Sequence, residues 1–526
     1  MSSLAGLLQQ SPYISYPYSY PHKTAYRPLD PPRSLRDLWA EERRDVLFLY
    51  MHIPFCEMRC GYCNLFTLAQ PSEALQRAYV DTLRRQAERV RAATGPASFA
   101  RFAIGGGTPT YLNLENLGAL FDIAEYVLDV DLATTPISVE TSPRTAEADK
   151  LHLLRARGVD RISIGVQSFV DAEVLAAGRI QKRDAVLAAL ARIREVGFPT
   201  LNIDLIYGLP GQTVESWLRS LETALSSKPE ELYLYPLYVR PLTRMEAQPQ
   251  TWEDTRLACY RAGRDYLRSA GYRQLSMRLF RAPETVDVSP GGGQGDRSSR
   301  FTIAHKSGRS TKIPLPQPLS PLCRGRGENV ASMAPSRELG GGWRRAQARI
   351  SRALAWKLAL REQMANSKSS RGGDRPIYRC QEDGMVGLGC GARSYTWACH
   401  YSSEYAVSRG GVRAILDDYV GRPTETFDFA HHGFVLDLEE QCRRYILKSL
   451  LRREGLALDR YRALFGVDAL DSVPEMAELI PQELAVLTED GKRLQLTEAG
   501  LERTDALGPW LYSARVRDLI ASHTLR

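Results

Sequence analysis

Tyr50-Met51-His52-Ile53-Pro54-Phe55-Cys56-Glu57-Met58-Arg59-Cys60-Gly61-Tyr62-Cys63-Asn64-Leu65-Phe66 decides how the rest of the chain is read. Three cysteines stand at C-x3-C-x2-C within eight residues, directly after an apolar, strand-like run at 46–50. Thiolates are soft ligands, and several at short spacing suit zinc or an iron–sulfur cluster. The number three favours the second. A closed structural zinc site takes four protein ligands. A four-iron cluster on three cysteines keeps one iron for a ligand that is not protein. The pattern predicts a catalytic cluster with an open coordination position on Cys56, Cys60 and Cys63; a chance group of buried or zinc-binding cysteines is the alternative.

The remaining cysteines (Cys259, Cys323, Cys380, Cys390, Cys399 and Cys442) are scattered. They form no disulfide framework, which fits a reducing cytoplasm. At 526 residues the chain is too long for one ordinary core, and 44% apolar residues is normal for a globular protein. No apolar run of 18 residues predicts a membrane-spanning helix, and the first residues lack a signal-peptide pattern. The net charge of +8 raises nucleic acid as a partner, but residues 281–376 carry 18 Lys and Arg against 7 Asp and Glu. That local excess exceeds the whole chain's, so the basic character belongs to one segment and argues against a nucleic-acid-binding surface on the rest.

Upstream of the cysteines, residues 1–44 form a Tyr/Pro-rich arm, with Tyr13, Tyr16, Tyr18, Tyr20 and Tyr26 in its first part. Its prolines and lack of period predict an extended segment rather than helix or strand, pinned by its aromatics or disordered. Downstream, residues 45–280 alternate short apolar strands (45–51, 101–104, 137–140, 161–166, 201–206, 232–239) with helical patterns (73–93, 114–129, 147–157, 184–196, 214–226). Such alternation implies parallel strands with helices outside. Six strands predict an α/β fold, an open partial (β/α)6 barrel of TIM type with its site at the C-terminal strand ends.

Polar residues stand at those ends. Gly105-Gly106-Gly107-Thr108-Pro109-Thr110 follows the second strand; glycine lets backbone approach a ligand, and ordinary tight turns need it as well. Glu140 ends the third strand and faces the barrel mouth or leaves for solvent. Gln167 ends the fourth, with an amide that both donates and accepts. Arg179 follows it, as a surface arginine or a bidentate grip on a carboxylate. Asp204 breaks an apolar strand and needs a partner. Thr213, after Gly208-Leu209-Pro210, is a candidate helix cap.

Residues 252–280 predict a helix and then a strand at 275–280. The pattern stops at the basic, low-complexity segment 281–376, whose composition predicts a disordered insertion that splits a strand or hairpin, with a helix possible at 344–361. Gly387-Leu388-Gly389-Cys390-Gly391-Ala392 then marks a glycine-rich stretch within 377–429, with Cys390 read from its type as a small buried residue. Residues 430–526 form a second small domain. Asp437 with Glu440 signals a helix start, Leu438, Cys442, Tyr445, Ile446 and Leu450 line one face, and Asp490-Gly491 signals a hairpin. Helices followed by a hairpin predict a winged-helix-like module, with Arg443, Arg444, Lys448, Arg452 and Arg453 as a solvated face.

The cysteine spacing, the form His-Ile-Pro-Phe-Cys…Cys-x-Tyr-Cys, the glycine turn and the strand-end residues together resemble the radical S-adenosylmethionine (radical SAM) superfamily. In particular they resemble its oxygen-independent coproporphyrinogen oxidase-like branch, over about 45–280 and 377–505. The resemblance implies a [4Fe–4S] cluster on Cys56, Cys60 and Cys63 with S-adenosylmethionine on the fourth iron. It implies cofactor contacts at Gly106, Gly107, Thr108, Glu140, Gln167, Arg179 and Asp204, the last to a ribose hydroxyl or else to a neighbouring turn. It also implies that the glycine-rich stretch at 377–429 returns to the barrel near the substrate side, with Arg393 and Cys390 as candidate substrate contacts. Tyr50 and Tyr62 are walls of the adenosine region or ordinary core. It implies reductive cleavage to a 5′-deoxyadenosyl radical, an electron donor such as flavodoxin or ferredoxin, and hydrogen abstraction from a substrate.

The substrate is less determined. Coproporphyrinogen oxidases proper carry a further cysteine soon after the motif, whereas Cys63 is followed by Asn64-Leu65-Phe66. Ser276-Met277-Arg278-Leu279-Phe280-Arg281 replaces another of their segments. Three functions stay open: a radical SAM oxidoreductase on an unknown small molecule or peptide, tetrapyrrole-like included; a haem-binding or haem-trafficking protein with little turnover; and an iron–sulfur DNA-binding regulator.

Overall fold

The computed structural model describes residues 3–246, 254–283 and 384–525. The chain enters on β1 (Arg27–Ser34) and crosses to β2 (Leu47–Ile53), which runs straight into the cysteine loop. Short strands β3 (Phe55–Cys56) and β4 (Leu68–Ala69) pair in parallel and tie that loop's two ends together. Five longer strands follow: β5 (Phe99–Gly106), β6 (Ile137–Thr141), β7 (Arg161–Gln167), β8 (Thr200–Tyr207) and β9 (Glu231–Pro236). With β2 they form six neighbours in parallel register.

Parallel neighbours need crossover connections. The helices Glu73–Thr94, Leu114–Asp122, Ala148–Ala156, Arg183–Val196 and Val214–Ser226 supply them. The first shows how the sequence dictates this. Ser72 caps it by accepting the Leu75 N–H, and Leu75, Tyr79, Leu83, Ala87 and Val90 recur at three- and four-residue spacing on the buried face. Thr213 caps the last, in a reciprocal capping box with Ser216. One face of the strands is apolar and buried, with Leu49, Met51, Val139, Ile162, Ile203 and Leu205 having essentially no exposed surface, while the alternating positions Ser138, Glu140, Ser163 and Asp204 line the cavity. All six expected strands and five expected helices are present, as a TIM-type partial barrel.

The sheet continues beyond those six. β10 (Arg273–Gln274) and β11 (Leu279–Arg281) form an antiparallel hairpin on β9. A single strand was expected at 275–280; instead Ser276 Oγ accepts the N–H groups of Arg278 and Leu279 and turns the chain. β12 (Met385–Leu388) pairs in parallel with β2, and β13 (Arg393–Tyr395), β14 (Cys399–Ser402) and β15 (Phe429–Val435) extend that edge as far as β1. The full order is β1-β15-β14-β13-β12-β2-β5-β6-β7-β8-β9-β11-β10. β11 and β12 therefore stand at opposite edges of the parallel core, so the segment between them does not split one hairpin. The expected insertion beyond residue 283, and the helix at 344–361 within it, lie outside the described residues.

Two further expectations are corrected. The arm is not merely extended: it holds a short helix, Leu4–Leu8, and the strand β1, which finds an antiparallel partner in β15 far along the chain. Tyr13, Tyr20 and Tyr26 are buried. The basic residues after Asp437 are not one solvated face. The helix Leu438–Leu450 buries Arg443 and Arg444, the first on Glu475 at 2.7 Å and the second on the Tyr20 carbonyl at 2.5 Å. Ion pairing and backbone acceptors make this burial tolerable. The helix is followed by β16 (Leu456–Ala457), β17 (Ala485–Leu487) and β18 (Arg493–Leu496), a small sheet of order β16-β18-β17. Gly491, at φ +66°, takes the turn between β17 and β18. Among the described residues no helix is long and apolar enough to cross a membrane.

Candidate functional site

The C-terminal ends of the parallel strands open into a cavity of about 930 Å³. Cys56, Cys60, Cys63, Tyr50, Tyr62, Gly106, Gly107, Thr108, Glu140, Gln167, Arg179 and Asp204 all line it. Local motifs on six separate elements thus meet in one place.

The cysteine loop is fastened on two sides. The Gly107 and Thr108 N–H groups donate to the carbonyls of Ile53 and Phe55 at 2.8 and 2.7 Å, and Gly61 N–H donates to the Ala177 carbonyl at 3.0 Å. A Cβ on Gly107 would lie 2.5 Å from the Phe55 oxygen and 2.9 Å from Cys56 Sγ, so glycine is required for the turn to reach the thiol. Gly106, at φ +116°, has its open face against the His52 ring. His52 receives the Tyr50 hydroxyl at its Nδ1 (3.2 Å) and lies 3.1 Å from the Phe66 carbonyl through Nε2. Burial pushes its ring down to about 4, so it is a neutral wall. The motif contained His52; nothing local revealed that Gly106 and Gly391 would both press on it.

The three thiols are partly exposed to the cavity. Arg179 Nη1 donates to Cys60 Sγ at 3.3 Å, and Thr108 Oγ1 to Cys56 Sγ at 3.7 Å. Burial pushes Cys56 up to about 12 and raises Cys63 as well, so both stay protonated until a metal displaces the proton. No three His, Cys, Asp or Glu side chains among the described residues converge to hold a single ion. A cluster asks each thiolate to meet a different iron, and three thiols of one loop face one cavity here. The donor set therefore fits a three-cysteine iron–sulfur cluster.

The strand ends differ in what they offer. Glu140 accepts the Gly106 N–H at 3.0 Å. Its carboxyl reaches into the cavity lumen, but the surrounding protein raises it to about 7, against the pull of that N–H. Asp204 is raised to about 6 by burial, although Asn202 Nδ2 at 2.7 Å and Ser163 Oγ at 3.2 Å donate to it and lower it. It thus has structural partners already. Gln167 sits at φ +71°, beside the bulge between β7 and β8, a conformation that persists in a non-glycine residue only where surroundings enforce it. Arg179 spends Nη2 on the Gly165 carbonyl and Nε on Gln181, both at 2.8 Å, which brings its remaining edge to Cys60. Tyr62 packs with Ala177, Ile206 and Met245, and Tyr50 with Phe48 and Met385.

Residues not anticipated complete the lining. His22 and Lys23 come from the arm, along with Tyr16 and Tyr18; Arg240 follows β9, and Arg278 comes from the β10–β11 hairpin. Arg393 lines the cavity as the sequence suggested, whereas Cys390 is buried away from it. Lys448 and Arg452, read as solvated, line it too.

Fold and site define a class. The radical SAM superfamily matches residues 50–224, and the HemN C-terminal domain matches residues 436–502. The chain is a radical SAM protein whose cofactors are a [4Fe–4S] cluster and S-adenosylmethionine. Among curated proteins it is 39% identical over 197 residues to heme chaperone HemW of Bacillus subtilis, covering 37% of this chain and 51% of the relative. It is 32% identical over 239 residues to HemW of Escherichia coli (45% and 63%), and 30% identical over 289 residues to oxygen-independent coproporphyrinogen III oxidase of Salmonella typhimurium (51% and 61%). The matches thus span between half and two thirds of each relative's length. The solved structure of coproporphyrinogen III oxidase (HemN) from Escherichia coli superposes with a TM-score of 0.65 over 97% of this chain and 98% of that one, at 22% identity, which establishes the shared fold. Within the superfamily the chain belongs to the HemN-like, coproporphyrinogen oxidase-like branch.

Proposed function

We propose that the chain is a radical SAM enzyme that abstracts hydrogen from a substrate held on the open side of this cavity. The observation that carries the reading is the convergence of Cys56, Cys60 and Cys63 with Gly106, Glu140, Gln167, Arg179 and Asp204 on one chamber. Cys56, Cys60 and Cys63 would hold the cluster, which, once reduced by an external donor, would supply one electron for reductive cleavage of S-adenosylmethionine and so for hydrogen abstraction from the substrate. The residues do the rest. Arg179 places a positive charge on Cys60 and holds that end of the loop rigid through Gly165. Gly106 and Gly107 leave backbone within reach of the cofactor's amino-acid end, and Glu140, when ionised, offers that end a counter-charge. Asp204, fixed by Asn202 and Ser163, presents an acceptor to a ribose hydroxyl. Tyr50, Tyr62 and His52 wall the chamber and exclude water from a reactive intermediate.

A second reading is a haem-handling role with little turnover. It is supported by the two relatives named as heme chaperones and by Asn64-Leu65-Phe66 in place of a further cysteine. The anaerobically reconstituted protein separates the two. An enzyme consumes S-adenosylmethionine faster when its substrate, a tetrapyrrole or another, is added, and yields a changed product. A haem carrier takes up haem stably and leaves it chemically unchanged.

A further inference from the structure

Arg278 lines the cavity from the β10–β11 hairpin with only 2% of its surface exposed. Its Nη2 donates to both oxygens of Asp505, at 2.7 and 2.5 Å, and lies 3.3 Å from the Tyr238 hydroxyl. Asp505 is fully buried in the helix Thr504–Trp510. Tyr16 and Tyr18 of the arm cover the guanidinium, with ring centroids 4.8 and 5.1 Å from its central carbon. Among the described residues, Nε and Nη1 of the same group have no hydrogen-bond partner. A buried guanidinium with unmade hydrogen bonds is costly unless a ligand completes it. Asp505 engages one nitrogen of three, which fixes the plane of the group and leaves the other two as donors.

A second cation repeats the pattern. Arg393 on β13 lines the same cavity, and its Nη1 is buried with no hydrogen-bond partner among the described residues. Lys23 of the arm rests its Nζ 3.5 Å from the centroid of the Tyr405 ring, but burial and the neighbouring Arg393 push its pKa well down, so the charge of the pocket rests on the arginines.

We propose that Arg278, oriented by Asp505, binds a carboxylate of the substrate, with Arg393 supplying the net positive charge that the neutral Arg278–Asp505 pair lacks. This rests on the reading of the cavity as the substrate chamber. The ligand class follows from the surroundings. Tyr16, Tyr18, Tyr233, Tyr235 and Tyr238 line the cavity and suit a flat apolar body. Asp505, behind the guanidinium, repels a dianion such as phosphate more than it repels a monoanionic carboxylate. The C-terminal region thereby takes part in substrate selection through a group that never touches the substrate.

The test uses the full chain with its cluster and two fluorescent probes of one shape: mesoporphyrin IX, a flat dicarboxylate, and its dimethyl ester, which carries no charge. The wild-type chain is expected to bind the acid at least about tenfold more tightly than the ester, the scale of one charge-assisted hydrogen bond. R278Q is expected to lose about tenfold on the acid and nothing on the ester. R278Q/D505N removes both buried charges together, so it keeps the test open if the single variant does not fold, and R393Q at a half-buried position repeats the comparison independently. The proposal is overturned if the wild-type chain shows no preference for the acid, binds neither probe, or shares its preference with folded variants. Cleavage of S-adenosylmethionine by the same wild-type preparation reports on the underlying reading. Cleavage without a preference for the acid sinks this inference alone; a preference without cleavage sinks the radical-enzyme reading and leaves the carboxylate site standing.

Discussion

The carboxylate of Glu140, at the end of β6, accepts the backbone N–H of Gly106, at the end of β5, across 3.0 Å. Two neighbouring strand ends are thereby locked in register at the cavity floor, and a titratable group is held with a raised pKa of about 7 by burial. Its ionised form is the one that pairs with a cationic cofactor group. Binding of S-adenosylmethionine to the cluster-loaded protein should therefore tighten as pH rises through about 7, and E140Q should bind about tenfold more weakly with that rise flattened. Anaerobic calorimetry over a range of pH reads this. Stability runs the other way. The folded chain keeps this proton between the ordinary carboxylate range and about 7, so Glu140's contribution is fully present at low pH and is lost as pH climbs through about 7.

Removing one thiol should empty the cluster site without unfolding the barrel. Cys60 is partly exposed and held by Arg179, not packed in the core. Cys60→Ala is expected to abolish the visible absorbance of the cluster while far-UV circular dichroism stays that of the wild type. Loss of both signals together would make the loop part of the folding core.

Glycine at 107 is a requirement of distance. A methyl group there meets the Phe55 carbonyl at 2.5 Å and Cys56 Sγ at 2.9 Å. Gly107→Ala must push β3 and the first ligand away from the turn, so iron and sulfide per chain should fall by more than half after identical reconstitution. Gly197→Ala is the control: that glycine has open space around it, so it tests backbone strain at φ +78° alone.

Glu231 is buried between two guanidiniums, Arg161 at 2.9 Å and Arg281 at 2.7 Å. Burial works against its charge, but the two arginines outweigh it and hold the carboxyl below its usual range. Glu231→Ala removes the carboxylate that two buried guanidiniums share and should cost about 3–5 kcal/mol in urea denaturation. Because the folded value is lowered, the stabilisation is present above the ordinary carboxylate range and is lost as pH falls through the folded value. A loss under about 1 kcal/mol would show the triad to be dispensable.

The barrel was legible because its signals are local. Alternating apolar runs and helical periods fix each βα unit, and a polar residue at a strand end has only one place to point. Hence Glu140, Gln167, Arg179 and Asp204 could be named from sequence and found around one cavity. What escaped is non-local. Arg278 is defined by Asp505, 227 residues away. β1 reads as an irregular Pro-rich arm until β15 supplies its partner. Arg443 and Arg444 look solvated until Glu475 and the Tyr20 carbonyl are placed beside them. The left-handed backbone of Gln167 leaves no mark on its residue type, since glutamine is not selected for that conformation.

The central claim is that the chamber cleaves S-adenosylmethionine at a cluster on Cys56, Cys60 and Cys63. The most direct measurement is 5′-deoxyadenosine formed under anaerobic conditions by protein with a full complement of iron and sulfide, given S-adenosylmethionine and a strong one-electron reductant. The account predicts at least one equivalent per chain, dependent on the reductant and absent in Cys60→Ala. A fully loaded wild-type protein that forms none would contradict it.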